Sequence, residues 1–440
     1  MKVLVVGGGG REHAIVWKLA QSEKTIELYC APGNPGIAEL AWCVDISAED
    51  IDGICEFAKA EKIDLAVIGP EVPLAMGIVD RLAEVGVPAF GPNKSCARLE
   101  ASKAFTKSFL ARHHIPTAGY REFTDKETLL KNVGVFGYPM VLKADGLAAG
   151  KGVVIALDAK EAAEAIEEMM GARVFGDAGD KVVVEEYLTG VEASMLCFVD
   201  HNTILPMTSA QDYKRIFDGD KGPNTGGMGT YSPSLVFNPA LEDRIRTEIL
   251  TPTLAGFQGD GLDFQGVLFI GLMITDQGPK VIEFNNRFGD PETQSILPRM
   301  ENDLLEVLLA VCQNRLSQIT LRWNPKSAVC VVLAAPGYPG SYPKGLPISG
   351  LADFDSYDSD QINSDQSGLN PSSDIMVFHA GTAFGSAPNT TETVTSGGRV
   401  LGVTALGETH DDARAKAYAA LTKIHFEGMQ YRKDIGLINK

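Results

Sequence analysis

The chain predicts an α/β protein of several packed units, and three observations carry that expectation. Over residues 1–100, short apolar strand patterns alternate with helix patterns, the rhythm of a parallel sheet covered on both faces. A strand pattern at Val281–Asn285 (VIEFN) runs straight into the polar file Asn286-Arg-Phe-Gly-Asp-Pro-Glu. Between two further strand patterns lies Lys143-Ala-Asp-Gly-Leu-Ala-Ala-Gly-Lys-Gly-Val, a loop of small residues with lysines. At 440 residues the chain is too long for one core, and two to four units fit.

Lys2–Val6 reads as the first strand, and Arg11–Gln21 as the helix that follows the glycine turn. Strand Glu27–Cys30 ends in Ala31-Pro-Gly-Asn-Pro-Gly. Helix Ile51–Glu61 leads to strand Leu65–Ile68, which ends in Gly69-Pro-Glu71. Ligands collect where such strands end. The opening Gly7-Gly-Gly-Gly-Arg-Glu is not the dinucleotide fingerprint, because GxGxxG from Gly7 requires glycine where Glu12 stands. Two readings of it remain level: a phosphate held on backbone N–H groups at the helix start, or simply a tight strand-to-helix turn.

Ser102–Arg112 reads as a helix capped by Ser102 and ended before Pro116. Residues 120 to about 190 form a small α/β piece. It has strands Met140–Lys143, Val153–Ile155 and Val182–Glu185, with a helix at Lys160–Met170. The acidic stripe of that helix (Glu161, Glu164, Glu167, Glu168) reads as a solvated face. A larger unit carries the 281–293 block and closes with a helix near Asn302–Arg315. Asn324-Pro-Lys opens a third unit with strands Val329–Leu333 and Arg399–Ala405 and the helix Asp411–Ile424. Asp353–Asp374, rich in Asp, Ser, Asn and Gln, reads as a mobile surface loop.

With 45% hydrophobic and 22% charged residues the composition is that of a soluble globular protein. A net charge of −18 argues against nucleic-acid and acidic-membrane partners, yet leaves room for a small phosphorylated substrate. The apolar run Val3–Val6 is too short for a signal peptide or a membrane span. Seven scattered cysteines, with no CxxC pair, fit reduced thiols of a cytoplasmic protein.

Chemistry concentrates in a few stretches. Strand alternation sets Glu283, Asn285 and Arg287 on one face and Ile282, Phe284 and Phe288 on the other. A carboxylate, an amide and a guanidinium side by side are costly on a buried strand. They make sense with a hard cation and a polyphosphate between them, since Mg²⁺ takes one or two protein oxygens plus phosphate oxygens and Arg grips phosphate in a fork. The plainer alternative is an internal ion pair from Glu283 to Arg287. The further acids Asp290 and Glu292 around the Gly289 and Pro291 turn favour a site.

The small residues of Asp145–Gly152 free the backbone to wrap an anion, to which Lys143 and Lys151 add charge. This is not a Walker loop, which needs Ser or Thr where Gly152 stands; the alternative is a flexible hairpin. The pattern Val183–Glu192 breaks at Thr189-Gly190, so backbone beside Tyr187 and Leu188 can meet an adenine edge and Glu192 a ribose. Gln211-Asp-Tyr-Lys-Arg and Gly222-Pro-Asn-Thr-Gly-Gly-Met-Gly-Thr-Tyr follow, the second again rich in exposed N–H groups.

Taken in order, GGGGREHA, APGNPG, GPEVPL, LEASKAFTKSFLARHHIPTA, LKADGLAAGKGV, PNTGGMGTYSP, EFNNRFGDPETQ and GGRVLGVTALG resemble the ATP-grasp enzymes. Within them they resemble the glycinamide ribonucleotide synthetase family, single-function form, over nearly the whole chain. The resemblance implies an ATP-grasp fold with an N-terminal Rossmann-like domain at 1–103. The ATP-grasp domain proper would span 104–320 with a lid at about 120–190, and a C-terminal α/β domain 321–440. It implies ATP-dependent ligation of glycine to phosphoribosylamine through a glycyl phosphate, in purine biosynthesis, with Mg²⁺ or Mn²⁺. The alternatives are another ATP-grasp carboxylate–amine ligase or carboxylase, an ATP-binding regulator without turnover, and, more remotely, a dehydrogenase.

Roles follow from the resemblance position by position. Lys103 and Lys143 resemble the lysines that touch nucleotide phosphates; Gly146, Gly150, Lys151 and Gly152 belong to the loop that closes over ATP. Glu185 and Leu188 would meet adenine, and Glu192 ribose. Glu283 and Asn285 would hold the metal, with Arg287, Lys143 and Asp290 catalytic. Gly9, Gly10, Asn34, Glu71 and the loop Gly226, Gly227, Met228 would hold phosphoribosylamine, while Asp212, Asp290 and Thr293 would approach glycine or the sugar. Two departures stand out. The strand Val267–Ile274 lacks the carboxylate that many ATP-grasp enzymes place there, and Asp353–Asp374 is longer than the family's usual loop.

Overall fold

Residues 2–7 form the central strand of the first unit: Val3, Leu4, Val5 and Val6 are all fully buried, as both faces of a central strand are. The computed structural model describes residues 1–24, 26–147, 152–172, 176–354, 374–386 and 392–437. Gly150, Lys151 and most of Asp353–Asp374 lie outside the described residues.

Lys2–Gly7 pairs in parallel with Glu27–Pro32 on one side and Leu65–Ile68 on the other; Trp42–Cys43 and Ala89–Phe90 form the edges. Strand order therefore reverses about Lys2–Gly7, and the crevice opens where Gly7 and Gly69 end their strands. Helix Gly10–Leu19 starts on a carboxylate of its own: Glu12 folds back and accepts from Gly9 N at 2.7 Å. A Cβ at Gly7 or Gly69 would run into that carboxyl. These glycines make room for a tight turn, and the N–H of Gly9 is bonded to Glu12.

Two antiparallel sheets follow. The smaller takes Tyr120–Phe123, Val182–Glu186, Met140–Ala144 and Val153–Ala156 in that order. Helix Ala159–Ile166 covers it with Ala162, Ala165 and Ile166, while Glu161, Glu164, Glu167 and Glu168 face solvent. Its glycine loop is moored at the base. Asp145 Oδ1 accepts from Ala104 N and from Ser102 Oγ, both at 3.0 Å, and Ser102 caps helix Lys103–Arg112 by accepting from Phe105 N at 3.1 Å.

The larger sheet runs Thr203–Pro206, Val191–Asp200, Gly266–Thr275, Gly278–Asn285. Alternate residues feed two cores. Met195, Cys197, Leu268, Ile270 and Leu272 pack with Phe109, Ile249 and Phe257. Leu196, Phe198, Val267 and Phe269 pack with Leu304 and Leu308 of helix Leu304–Cys312. Burial on both faces is why this strand pair reads as a continuous apolar run.

The last sheet is Gln211–Asp212, Gly229–Ser232, Ser327–Ala334, Arg399–Gly407, Ile375–His379, backed by helix His410–Leu421. Its first two strands come from the range 104–320 expected for the middle unit, since backbone pairing joins them to strands that follow Asn324. The chain's end locks this crossing. The guanidinium of Arg432, 1% exposed, donates to Asp220 Oδ1 at 2.8 Å and to Arg215 O at 3.1 Å, bracing the hairpin Arg215–Phe217/Lys221–Asn224. The first and last units also join directly. His379 N donates to His13 Nδ1 at 2.8 Å, and Asn34 Nδ2 donates to Gly8 O and His379 O, both at 2.9 Å. Burial pushes His13 well down and His379 to about 4, so both rings are neutral at this joint. Among the described residues no helix is long and apolar enough to cross a membrane.

Candidate active site

Where the two antiparallel sheets face each other they enclose a cavity of about 640 Å³. Val141, Val153 and Ile155 from the small sheet, with Leu188, Phe269, Met273 and Ile282, make an apolar slot. Beyond it lie Lys143, Glu185, Glu192, Asp212, Lys214, Gly226, Glu283, Asn285, Arg287, Asp290 and Glu292. Apolar slot and polar end are the two halves of a nucleotide site.

The position of Ile282 corrects the sequence reading. Gly271 faces Glu283 but Leu272 faces Val281, so Ile282 is an extra residue, a bulge. The bulge shifts the alternation by one. Val281 and Phe284 point to the core, and Ile282 joins Glu283 and Asn285 in lining the cavity. Backbone pairing decides this, and no side-chain pattern announces it.

Arg287 does not pair with Glu283. Its Nη2 lies 3.0 Å from Glu100 Oε1, its Nε 3.5 Å from Glu71 Oε2, and the Nε hydrogen makes no hydrogen bond. Glu71 thus reaches the site as a counter-ion of Arg287. Burial would push the Glu283 carboxyl up, but Lys214, Lys143, Lys103 and Arg287 outweigh it and hold the group below its ordinary range. An ionised, half-buried carboxylate beside the amide of Asn285 fits a hard cation. Among the described residues no three His, Cys, Asp or Glu converge as a metal-holding group. One carboxylate and one amide are the kind of protein oxygens that Mg²⁺ takes alongside phosphate oxygens.

Lys143 bridges the two sheets: its Nζ donates to Ile282 O at 3.1 Å and lies 3.0 Å from Glu185 Oε1. Lys107 reaches the other oxygen of Glu185 at 2.9 Å. All three side chains are at most 4% exposed. Glu185 is thus the shared anion between two buried ammonium groups. Lys103 Nζ donates to Gly146 O at 3.1 Å, tying the glycine loop to its helix.

Asp212 and Glu292 form an acidic pair. Burial raises both: at Asp212 Lys214 opposes the rise while Glu192 and Glu283 add to it, and at Glu292 the charge of Asp212 adds to it, so that Glu292 reaches about 8. Between its ordinary value of 4.5 and about 8, the folded protein binds more protons than the unfolded chain. Stability therefore falls as pH rises through that window. Glu292→Gln should remove this slope, so that in urea melts without nucleotide the variant gains on the wild type from pH 5 to 8. An unchanged slope would place the titration elsewhere.

A second cavity, about 480 Å³, lies between the first and last units. Gly8, Gly9, Pro32 and Gly33 face Thr382, Ser396, Gly397, Arg399 and Tyr338 across it, and Asp290 lines both cavities. Several sequence-predicted substrate residues line neither. Gly10 abuts the Gln294 side chain, and Asn34 is spent on the joint described above. Gly227 sits at φ +110 against Pro291. Met228 is a correction: its side chain is fully buried with Ile216 and Ala334, its N–H goes to Tyr213 O and its carbonyl accepts from Val332 N. Thr293, also fully buried, donates to Gly289 O at 2.6 Å. These residues shape the loops whose neighbours line the cavities.

Residue-level reading missed Lys107, Lys214 and Arg399. Lys107 stands one helical turn after Lys103, a spacing that puts both on one face. Lys214 lies 3.2 Å from Glu192 Oε2, and Arg399 stands in the GGRV block without a role.

Profiles of phosphoribosylglycinamide synthetase match residues 1–100 (N domain), 101–293 (ATP-grasp A domain) and 328–438 (C domain). The chain belongs to the phosphoribosylglycinamide synthetase family. A phosphoribosylamine–glycine ligase of Caldanaerobacter subterraneus is 48% identical over 435 residues, 99% of each chain. One from Escherichia coli O6:H1 is 48% identical over 439 residues, covering 99% of this chain and 98% of its own. Among solved structures, the phosphoribosylamine–glycine ligase of Thermotoga maritima superposes with a TM-score of 0.82 at 32% identity, over 99% of this chain and 100% of the other. The biotin carboxylase domain of a 2-oxoglutarate carboxylase from Hydrogenobacter thermophilus reaches 0.72 at 16% identity, over 98% of this chain and 91% of that one, a likeness of ATP-grasp fold.

Proposed function

We propose that the protein joins glycine to phosphoribosylamine, converting ATP to ADP and phosphate, as the names of its relatives state for them. One observation carries the reading at residue level: a cavity with an apolar slot, the oxygen ligands Glu283 and Asn285 and four cationic side chains (Lys143, Lys214, Arg215 and Arg287) adjoins a second cavity, and Asp290 stands in both.

A carboxylate is a poor acylating agent, so the γ-phosphoryl group of ATP is first transferred to glycine, giving glycyl phosphate. The apolar slot takes the base, Glu192 the ribose, and Lys143 with Arg287 the phosphate oxygens on which charge develops. Glu283 and Asn285 would hold Mg²⁺ or Mn²⁺, which when bound supplies positive charge at those oxygens. Asp212 and Glu292 lie on the glycine side of the same cavity. Phosphoribosylamine enters the second cavity, between Gly8–Gly9 and Thr382–Arg399, and its amine meets the acyl carbon at Asp290. Burial would neutralise that carboxyl, but Arg399 and Arg11 hold it ionised, so it can orient the amine. The nitrogen–carbon bond forms and phosphate leaves.

The test is ADP formation with phosphoribosylamine generated in place. Turnover should require glycine and the amine together. ADP formed equally well with bicarbonate in place of glycine would favour a carboxylase, and turnover indifferent to both would sink the ligase reading.

A further inference from the structure

Asp290 belongs to the wall that the two cavities share, and one residue pins it there. Arg399 Nη2 donates to Asp290 Oδ2 at 2.8 Å; Nη1 donates to Asp290 O at 2.8 Å and to Gly226 O at 2.6 Å. Asp290 Oδ1 accepts from Gln294 Nε2 at 2.8 Å, so both carboxylate oxygens are held. Gly226 lines the larger cavity and Arg399 the smaller. The guanidinium thus ties a loop of one cavity to the wall of the other across 109 and 173 residues of sequence. Gly226 N also donates to Tyr338 Oη at 3.1 Å, and Tyr338 lines the smaller cavity with Arg399.

We infer that Arg399 is a positioning residue that keeps the two cavities in register, so that the amine bound in the smaller one meets the acyl phosphate formed in the larger. The inference rests on the function proposed above. Three of the five guanidinium donors are engaged by Asp290 and Gly226, so the residue holds the two cavity walls to each other. Register matters because transfer needs reacting atoms about 3–3.5 Å apart, and a shift of about 1 Å costs roughly a hundredfold. Only a planar fork serves three acceptors in this arrangement; a lysine keeps the charge and loses the geometry.

The experiment compares Arg399→Lys, Arg399→Met and Tyr338→Phe in the full chain, with melting curves alongside. Both Arg399 variants should lose about a hundredfold in kcat/KM for phosphoribosylamine. Their KM values for ATP and glycine should stay within about twofold, a split that general loosening would not produce. Tyr338→Phe, which removes one hydroxyl and spares the charges, should move the same constant in the same direction by a smaller factor, and it answers if the Arg399 variants fail to fold. Full rescue by lysine would mean that charge alone matters and would overturn positioning. Comparable rises in KM for all three substrates would do the same. A wild type that turns over without phosphoribosylamine would instead bring down the functional reading, and this inference with it.

Discussion

Glu283→Gln should cut turnover by about 10²–10³-fold while the protein melts close to the wild-type temperature. The substitution keeps the shape of the side chain and removes the one charge that the surrounding cations hold ionised against burial. On the proposed function, loss of that charge would weaken cation binding beside the phosphoryl oxygens, so the effect would fall on the transition state. Stability should change little. Lys214 retains Glu192 at 3.2 Å, and the strand's core side chains, Val281 and Phe284, are untouched. The measurement is kcat at saturating Mg²⁺ and saturating substrates, paired with a thermal melt. Wild-type turnover in the variant would remove Glu283 from the cation site; a melt lowered by many degrees would mean that the carboxylate is structural.

Glu185→Gln should act in the opposite way, on the fold first. Its carboxylate separates Lys107 and Lys143, all three side chains being almost wholly buried. Removing one partner of a buried ionic group leaves uncompensated charge and costs about 3–5 kcal/mol. Burial, reinforced by Lys143, already lowers Lys107 from 10.5 to about 8, with Glu185 opposing the shift. Between those values the unfolded chain binds more protons than the folded one, so wild-type stability should rise with pH over about 8 to 10.5. In the variant the rise should begin at lower pH, because the opposing carboxylate is gone. Urea unfolding from pH 6 to 10 tests both parts. A loss under about 1 kcal/mol would mean that water or a rotamer change relieves the two lysines.

The contrast between these residues shows how far sequence could go. Local chemistry was legible: Ser102 caps its helix, the acidic stripe from Glu161 to Glu168 faces water, and the central strands fall where the apolar runs lie. Glu283 and Asn285 are two residues apart on one strand, so their shared face needed no fold to be seen. Ile282 escaped because a bulge depends on how a neighbouring strand pairs, which leaves no mark on the residue itself. Met228 escaped for a related reason: a glycine-flanked loop residue reads as exposed until the sheet claims both its backbone groups.

The sequence by itself determined the family and its fold, through blocks spread along the chain, and it set Glu283 and Asn285 on one face because both lie on one strand. Tertiary structure alone decided the rest. The triad Lys107–Glu185–Lys143, the Arg399–Asp290 clamp and the Asp212–Glu292 pair join residues tens to more than a hundred positions apart. Their charges acquire meaning from burial and from each other, and a single chain of letters carries neither distance nor dielectric.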